Sequence, residues 1–113
     1  MARREEVLQT LTAQTGRFTN PKIASSFKGW TRTMQYIFPD LDLRMVIEVK
    51  DGVPGEPTEG SANTPQVVYE MGSDTFLAIA RREISGMKAF SQKLVKVKAS
   101  MPDLLKLQKL DAV

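Results

Sequence analysis

Between Leu41 and Lys50 the chain alternates. Leu41, Leu43, Met45, Ile47 and Val49 take one side; Asp42, Arg44, Glu48 and Lys50 take the other, with Val46 the exception. Side chains on an extended strand point to opposite faces with period two, so this pattern demands a β-strand with one buried and one wetter face. Just upstream, Met34, Tyr36 and Phe38 alternate with Thr33 and Gln35, and Pro39-Asp40 separates the two runs. Downstream the strand stops at Asp51-Gly52, a strong turn pair. A sheet with one apolar face must be covered by a second layer, and every reading of the remaining residues has to supply that cover.

The cover is predicted to be helical. In residues 3–14, Val7, Leu8 and Leu11 share one helical face, and Gly16 marks a stop. Asn20-Pro21 has the form of an N-cap followed by a first-turn proline. Ile23, Ala24, Phe27 and Trp30 then form a helical stripe up to Gly29. A third strand at 66–71 ends at Gly72, and Ser73 caps a helix with Asp74 in its first turn, Phe76, Leu77, Ile79, Ala80 and Ile84 as its apolar face, and Ser85-Gly86 as its close. Met87 to Phe90 reads as one more helical turn, and residues 93–99 alternate again, with Val95, Val97 and Ala99 on one side. Ser100 caps a final helix with Pro102 and Asp103 in its first turn, and Leu104, Leu105, Leu107 and Leu110 give it a wide apolar face. Residues 51–66 hold three prolines and three glycines and are expected to form a mobile hairpin connection, with room for a fifth strand beside the four visible ones. The expectation is one α+β domain over residues 1–113. It divides into N-terminal helices at 1–30, strands at 31–71, then helix, short helix, strand and C-terminal helix at 73–113.

Composition narrows the chemistry. The 113 residues contain no cysteine and no histidine, so disulfides, thiol chemistry and the usual zinc sites are excluded, as are Ser-His-Asp and Cys-His catalysis within this chain. The close acidic pairs, Glu5-Glu6, Asp40/Asp42 and Glu56/Glu59, carry no sign of the burial that tunes a catalytic carboxylate, and no glycine-rich phosphate loop is present. The reading is a binding protein, not an enzyme, with no cofactor and no metal. No apolar run approaches the ~20 residues of a membrane span, the first residues lack the apolar stretch of a secretory signal, and Asp111-Ala112-Val113 is no peroxisomal or retention address; a cytoplasmic location is expected.

Charge is uneven. Residues 1–80 carry a net −2 and residues 81–113 a net +5. The final third can face an anionic partner or simply be a solvated lysine face. Between Lys93, Lys96 and Lys98 stand Leu94, Val95 and Val97, with no aromatic residue beyond Phe90 to stack on bases, so nucleic acid is not the expected partner. Met34, Met45, Met71, Met87 and Met101 all fall in or beside core-facing elements. Methionine adapts to irregular spaces, so these residues fit ordinary packing or an apolar cavity between sheet and helices.

The second half of the chain resembles the sterol carrier protein type two family. Val67-Val68-Tyr69-Glu70-Met71-Gly72-Ser73-Asp74-Thr75-Phe76 resembles that family's strand leading into a capped helix that begins with a Phe, and Ile84 to Phe90 resembles its short Gly-x-x-x-Ala-Phe turn. Lys96-Val97-Lys98 resembles its following strand, and Leu104 to Leu110 its final helix. The resemblance extends over roughly residues 18–110. It departs where the family has glycine and this chain has Lys93 and Ala99, where a second-strand aromatic is replaced near Leu43 or Met45, and in a longer 51–66 loop.

The resemblance implies a mostly antiparallel five-stranded sheet covered on one face by helices. Between them it implies an apolar tunnel that binds and transfers a sterol, fatty acid, fatty acyl-CoA or phospholipid without covalent chemistry. The expected lining is Met45 and Ile47 from the sheet, then Phe76, Ile79 and Ala80 from the central helix. Met87 and Phe90 come from the short turn, and Met101, Leu104 and Leu105 from the last helix. Lys88, Lys106 and Lys109 are expected to meet an anionic head group or a transient membrane surface, and the terminal helix is the expected lid. The alternative is a protein-interaction or regulatory module whose cavity is filled by its own side chains, marked by an exposed apolar patch.

Overall fold

A computed structural model describes residues 3–112. The two alternating runs become β1 (Arg32–Phe38) and β2 (Leu43–Lys50), paired antiparallel so that Met34 faces Ile47 and Tyr36 faces Met45. The short 3₁₀ turn Pro39–Leu41 joins them. After β2, Asp51 and Gly52 both take positive φ, 51° and 77°, and Val53 returns opposite Lys50. This is the two-residue hairpin that an Asp-Gly pair favours. Only glycine fits its second position. A Cβ on Gly52 would meet the Phe27 carbonyl oxygen at 2.5 Å, and the Gly52 amide donates to the Trp30 carbonyl at 2.8 Å.

Residues 51–66 do not form a free connection. They contain β3 (Val53–Pro54) and β4 (Thr58–Glu59), both antiparallel to β2. The fastener is Gln35, a polar residue 3% exposed on the sheet face away from the helices. Its amide nitrogen donates to the carbonyls of Met45 (2.9 Å) and Gly60 (3.0 Å), and its oxygen accepts from the Ala62 amide (2.7 Å). A buried side-chain amide is costly unless bonded, and here the loop backbone supplies the partners. The expected mobile loop is therefore stitched to the sheet.

β5 (Val67–Met71) lies parallel to β1, and β6 (Val95–Lys98) antiparallel to β5. The sheet runs β3-β2-β1-β5-β6, with β4 also on β2. The expected α+β class and mostly antiparallel sheet hold; the sheet has six strands where five were expected, one pair is parallel, and β3 and β4 are two residues each. Met34, Phe38, Leu43, Met45, Ile47, Val49, Val67, Met71 and Val95 are buried on the helix side.

The helical layer differs from expectation in three places. α1 (Arg4–Gln14) forms and buries Val7 and Leu11, but the second N-terminal helix does not. Asn20 accepts the Lys22 amide on its side chain at 2.9 Å, a local turn that competes with helix. Two 3₁₀ turns, Thr15–Thr19 and Ala24–Phe27, deliver Phe18, Phe27 and Trp30 into one aromatic cluster with ring centroids 5.0 to 5.9 Å apart. α2 (Ser73–Ala80) is shorter than predicted, and Gly72, not Ser73, is its N-cap. The amide and hydroxyl of Ser73 both donate to the Asp40 carboxylate. Burial pushes this carboxyl up, but the two Ser73 hydrogen bonds outweigh it and hold Asp40 below its ordinary value. Ser85 does not close α2; its side chain accepts the Lys88 amide and opens α3 (Gly86–Ser91).

Both of these middle helices end alike. Glu83 N–H bonds Ala78 C=O and Arg82 N–H bonds Ile79 C=O after α2. Leu94 N–H bonds Ala89 C=O and Lys93 N–H bonds Phe90 C=O after α3. These are Schellman closures, with Arg82 (φ 61°) and Lys93 (φ 62°) in the left-handed position usually given to glycine. The departure at Lys93 therefore keeps the backbone shape that a glycine would adopt. α4 (Met101–Leu107) starts as predicted, with Ser100 accepting the Asp103 amide, and continues as a 3₁₀ turn, Gln108–Ala112.

Candidate functional site: a cavity between sheet and helices

The layers do not close on each other. A cavity of about 390 Å³ lies between them, about thirty times the space one water molecule needs. Its floor is the helix-facing side of β1, β5 and β6: Tyr36, Tyr69, Met71, Val95 and Val97, with Ile47 from β2 at one edge. Its walls are Leu11, Phe18, Phe76, Ile79, Met87, Phe90, Leu104, Leu107 and Leu110. Tyr36 and Tyr69 stack at 5.2 Å, and Phe76 meets Phe38 edge-on at the same distance. A few polar groups interrupt the apolar surface: Gln14, Thr15, Arg17 and Gln108. A smaller adjoining cavity of about 110 Å³ shares Arg17, Ile79 and Gly86 with it and adds Arg82, Ile84 and Ser85. Burial pushes the Tyr36 hydroxyl far above the ordinary tyrosine value, with the Arg17 charge opposing. At neutral pH Tyr36 is a neutral donor.

Of the sequence-predicted lining, Ile47, Phe76, Ile79, Met87, Phe90, Met101 and Leu104 border the cavity. Met45, Ala80 and Leu105 do not. Met45 is core, 4% exposed under the β4 side of the sheet. Ala80 ends α2, and Leu105 is 58% exposed. One residue along a helix is a rotation of about 100°, which takes Leu105 off the face that carries Leu104 and Leu107. Lys88, Lys106 and Lys109 lie outside the lining. Lys106 and Lys109 donate to the Ser26 carbonyl (2.8 Å) and hydroxyl (3.1 Å) instead. The missed lining residues had partial signals. Tyr36, Val95 and Val97 lie on the inward side of predicted strands, and Leu11, Leu107 and Leu110 on predicted apolar helical faces. Arg17, Gln14 and Thr15 had none.

α4 is tied down at its start, unlike a loose terminal lid. Asp103, 4% exposed, accepts from Trp30 Nε1 and Arg32 Nε, each at 2.9 Å. Burial pushes its carboxyl up, but the Arg32 and Trp30 hydrogen bonds and the guanidinium charge hold it below the usual carboxylate range. Arg32 also lies over the Trp30 ring, 5.5 Å from its centroid. Among the described residues there is no cluster of three or more His, Cys, Asp or Glu that could hold a metal ion, and no helix long and apolar enough to cross a membrane.

Comparison with known proteins places this geometry. A family model described as "SCP-2 sterol transfer family" matches residues 8–111. No curated protein matches the chain. Among solved structures, palmitated SCP2L2 from Aedes aegypti superposes with a TM-score of 0.73 at 16% identity, covering 99% of this chain and 96% of that one. The sterol carrier protein domain 2 of Helicoverpa armigera superposes with a TM-score of 0.65 at 13% identity, covering 92% and 83%. Part of the sec-alkylsulfatase Pisa1 from Pseudomonas sp. is also similar, with a TM-score of 0.63 at 22% identity over 78% of this chain. The chain spans only 13% of that enzyme's length. At these identities the superpositions establish the fold.

Proposed function

The chain belongs to the SCP-2 sterol transfer family, and from that premise we propose that it binds and transfers an apolar lipid, without catalysis, in the cavity between sheet and helices. The observation that carries this reading is the cavity itself: about 390 Å³ of unfilled space in a 113-residue domain, bordered mainly by aliphatic and aromatic side chains. Each methylene moved into it from water contributes ~0.8 kcal/mol. Phe76, Ile79, Met87, Phe90, Met101 and Leu104 would contact the acyl chain or ring system. Arg17 and Arg82, at the adjoining smaller cavity, favour an amphiphile with an anionic head, such as a fatty acid or acyl-CoA, over an uncharged sterol.

Native mass spectrometry of the purified protein, with an organic extract analysed beside it, tests the reading. A co-purifying mass that extracts as a lipid is the expected result. A bare mass, together with failure to take up a fluorescent fatty acid, refutes it. A second reading, a protein-interaction module, is favoured by one observation: large apolar side chains exposed around the cavity mouth. In that case the bare protein would retain a partner protein in place of lipid.

A further inference from the structure

On β1, the middle strand of the sheet, Met34 and Phe38 are fully buried on the helix side, while Tyr36 between them keeps part of its surface. That surface belongs to the cavity floor. The ring is held by its neighbours: it stacks on Tyr69 at 5.2 Å and on Phe38 at 6.5 Å, and meets Phe76 edge-on at 6.5 Å. A phenylalanine would make the same contacts. The hydroxyl is what tyrosine adds, and among the described residues no group donates to it or accepts from it. It is not sealed in packed core, so it opens on the cavity.

A hydroxyl held in an apolar enclosure without a partner costs stability unless something that enters the space bonds it. A neutral phenol can donate, so its complement on a ligand is an acceptor. Arg17 decides the sign of that acceptor. It lines the same cavity, and its charge acts on the Tyr36 hydroxyl. A donor in the field of a positive charge matches a carboxylate, and such a charge-assisted hydrogen bond is about twice as strong as a neutral one. The Thr15 hydroxyl is already used on the Thr12 carbonyl at 2.6 Å, and Gln108 is exposed to water. Met87, Phe90 and Met101 border the cavity and are exposed, so its open side is apolar while a donor stands at its floor.

We propose that Tyr36, helped by the charge of Arg17, binds the carboxylate of a free fatty acid at the cavity floor, with the acyl chain running out past Met87, Phe90 and Met101. Tyr36 then sets selectivity. It favours the acid over its methyl ester, which offers only a neutral acceptor. It also favours the acid over the acyl-CoA, whose large head has no room at the floor of a cavity of about 390 Å³. The inference rests on the lipid-carrier reading above and narrows its ligand.

The test measures palmitate, methyl palmitate and palmitoyl-CoA by displacement of a fluorescent fatty acid from the full chain, in wild type and Tyr36→Phe. The variant keeps the ring and should be at least as stable as the wild type, because the hydroxyl it removes has no partner among the described residues. It should bind palmitate roughly 30-fold more weakly and methyl palmitate only about threefold more weakly; a merely structural role would weaken both alike. Isotope-filtered NMR with carbon-labelled palmitate should place the methylene next to the carboxyl group against the Tyr36 ring and the terminal methyl against Phe90. Equal weakening of acid and ester, unchanged palmitate affinity in the variant, palmitoyl-CoA bound as tightly as palmitate, or the terminal methyl against Tyr36 would each overturn the inference and leave the lipid-carrier reading standing. A wild type that takes up none of these lipids would refute that reading and this inference with it.

Discussion

Replacing Asp103 with Asn isolates the charge of the one buried carboxylate that holds α4 to the sheet. The substitution keeps the side-chain size and keeps an acceptor for Trp30 Nε1, now 2.9 Å from Oδ1. It sets an amide N–H against the Arg32 guanidinium, which now bonds Oδ2 at 2.9 Å. Breaking a fully buried ion pair costs about 3–5 kcal/mol. The Asp103 side chain is 5% exposed but that of Arg32 is 33% exposed and can turn to water, so a loss of about 2 kcal/mol follows, near that of one charge-assisted hydrogen bond. For a domain of this size that lowers Tm by about 8 °C. The pH dependence is the sharper signature. The folded carboxyl titrates below its unfolded value, so its stabilisation is complete above about pH 4 and is lost as pH falls through the folded value. The gap between wild type and D103N should be full at neutral pH and shrink towards zero in acid. Asp40, also held low, titrates in both proteins and cancels in the difference. Urea unfolding followed by Trp30, the sole tryptophan, measures this at the site itself. An unchanged midpoint at pH 7, or a gap that stays constant from pH 7 down to strong acid, would refute the reasoning.

Gly52→Ala places a Cβ 2.5 Å from the Phe27 carbonyl oxygen in a residue at φ 77° and should cost roughly 3 kcal/mol in urea unfolding. Arg82→Gly and Lys93→Gly should each stabilise by about 1 kcal/mol, because both positions sit in the left-handed conformation that glycine adopts without strain. An unchanged or lowered melting temperature would show that the side chain contributes more than the backbone conformation costs. Phe90→Asp, at a half-exposed cavity position, should lower fatty-acid uptake at least tenfold with unchanged circular dichroism; uptake at wild-type level would remove Phe90 from the lipid site. Gln35→Leu leaves the loop groups at Gly60 and Ala62 without their partner and should raise hydrogen exchange at the Ala62 amide while costing about 2 kcal/mol.

Much of the fold was legible because local period reports it. Alternation at 41–50 placed β2 and its buried face, the Asp51-Gly52 pair placed the hairpin, and Ser100 with Asp103 placed the start of α4. What misled the reading was competition between local signals. Asn20-Pro21 has the form of a helix start, yet the Asn20 side chain closes a turn on the Lys22 amide. Ser85-Gly86 has the form of a helix end, yet the Ser85 hydroxyl caps the next helix. The proline- and glycine-rich 51–66 segment looked free because its fastener, Gln35, lies far upstream of the groups it bonds at Gly60 and Ala62.

The same division runs through the cavity. An inward-facing position can be read from period alone, and seven of the ten expected lining residues border the space for that reason. Which inward positions meet empty space and which meet packed neighbours depends on strand order. The parallel β1–β5 pair centres the cavity over β1, β5 and β6 and leaves Met45 in solid core. By itself the sequence determined the four longer strands, the first and last helices, their buried faces and the basic final third, because these depend on neighbours within a few residues. Only the tertiary structure decided the unfilled space, the clasp between Asp103 and the Trp30–Arg32 pair some seventy residues away, and the placing of exposed Met87, Phe90 and Met101 at the cavity border. Those depend on contacts between distant segments, and local period does not encode them.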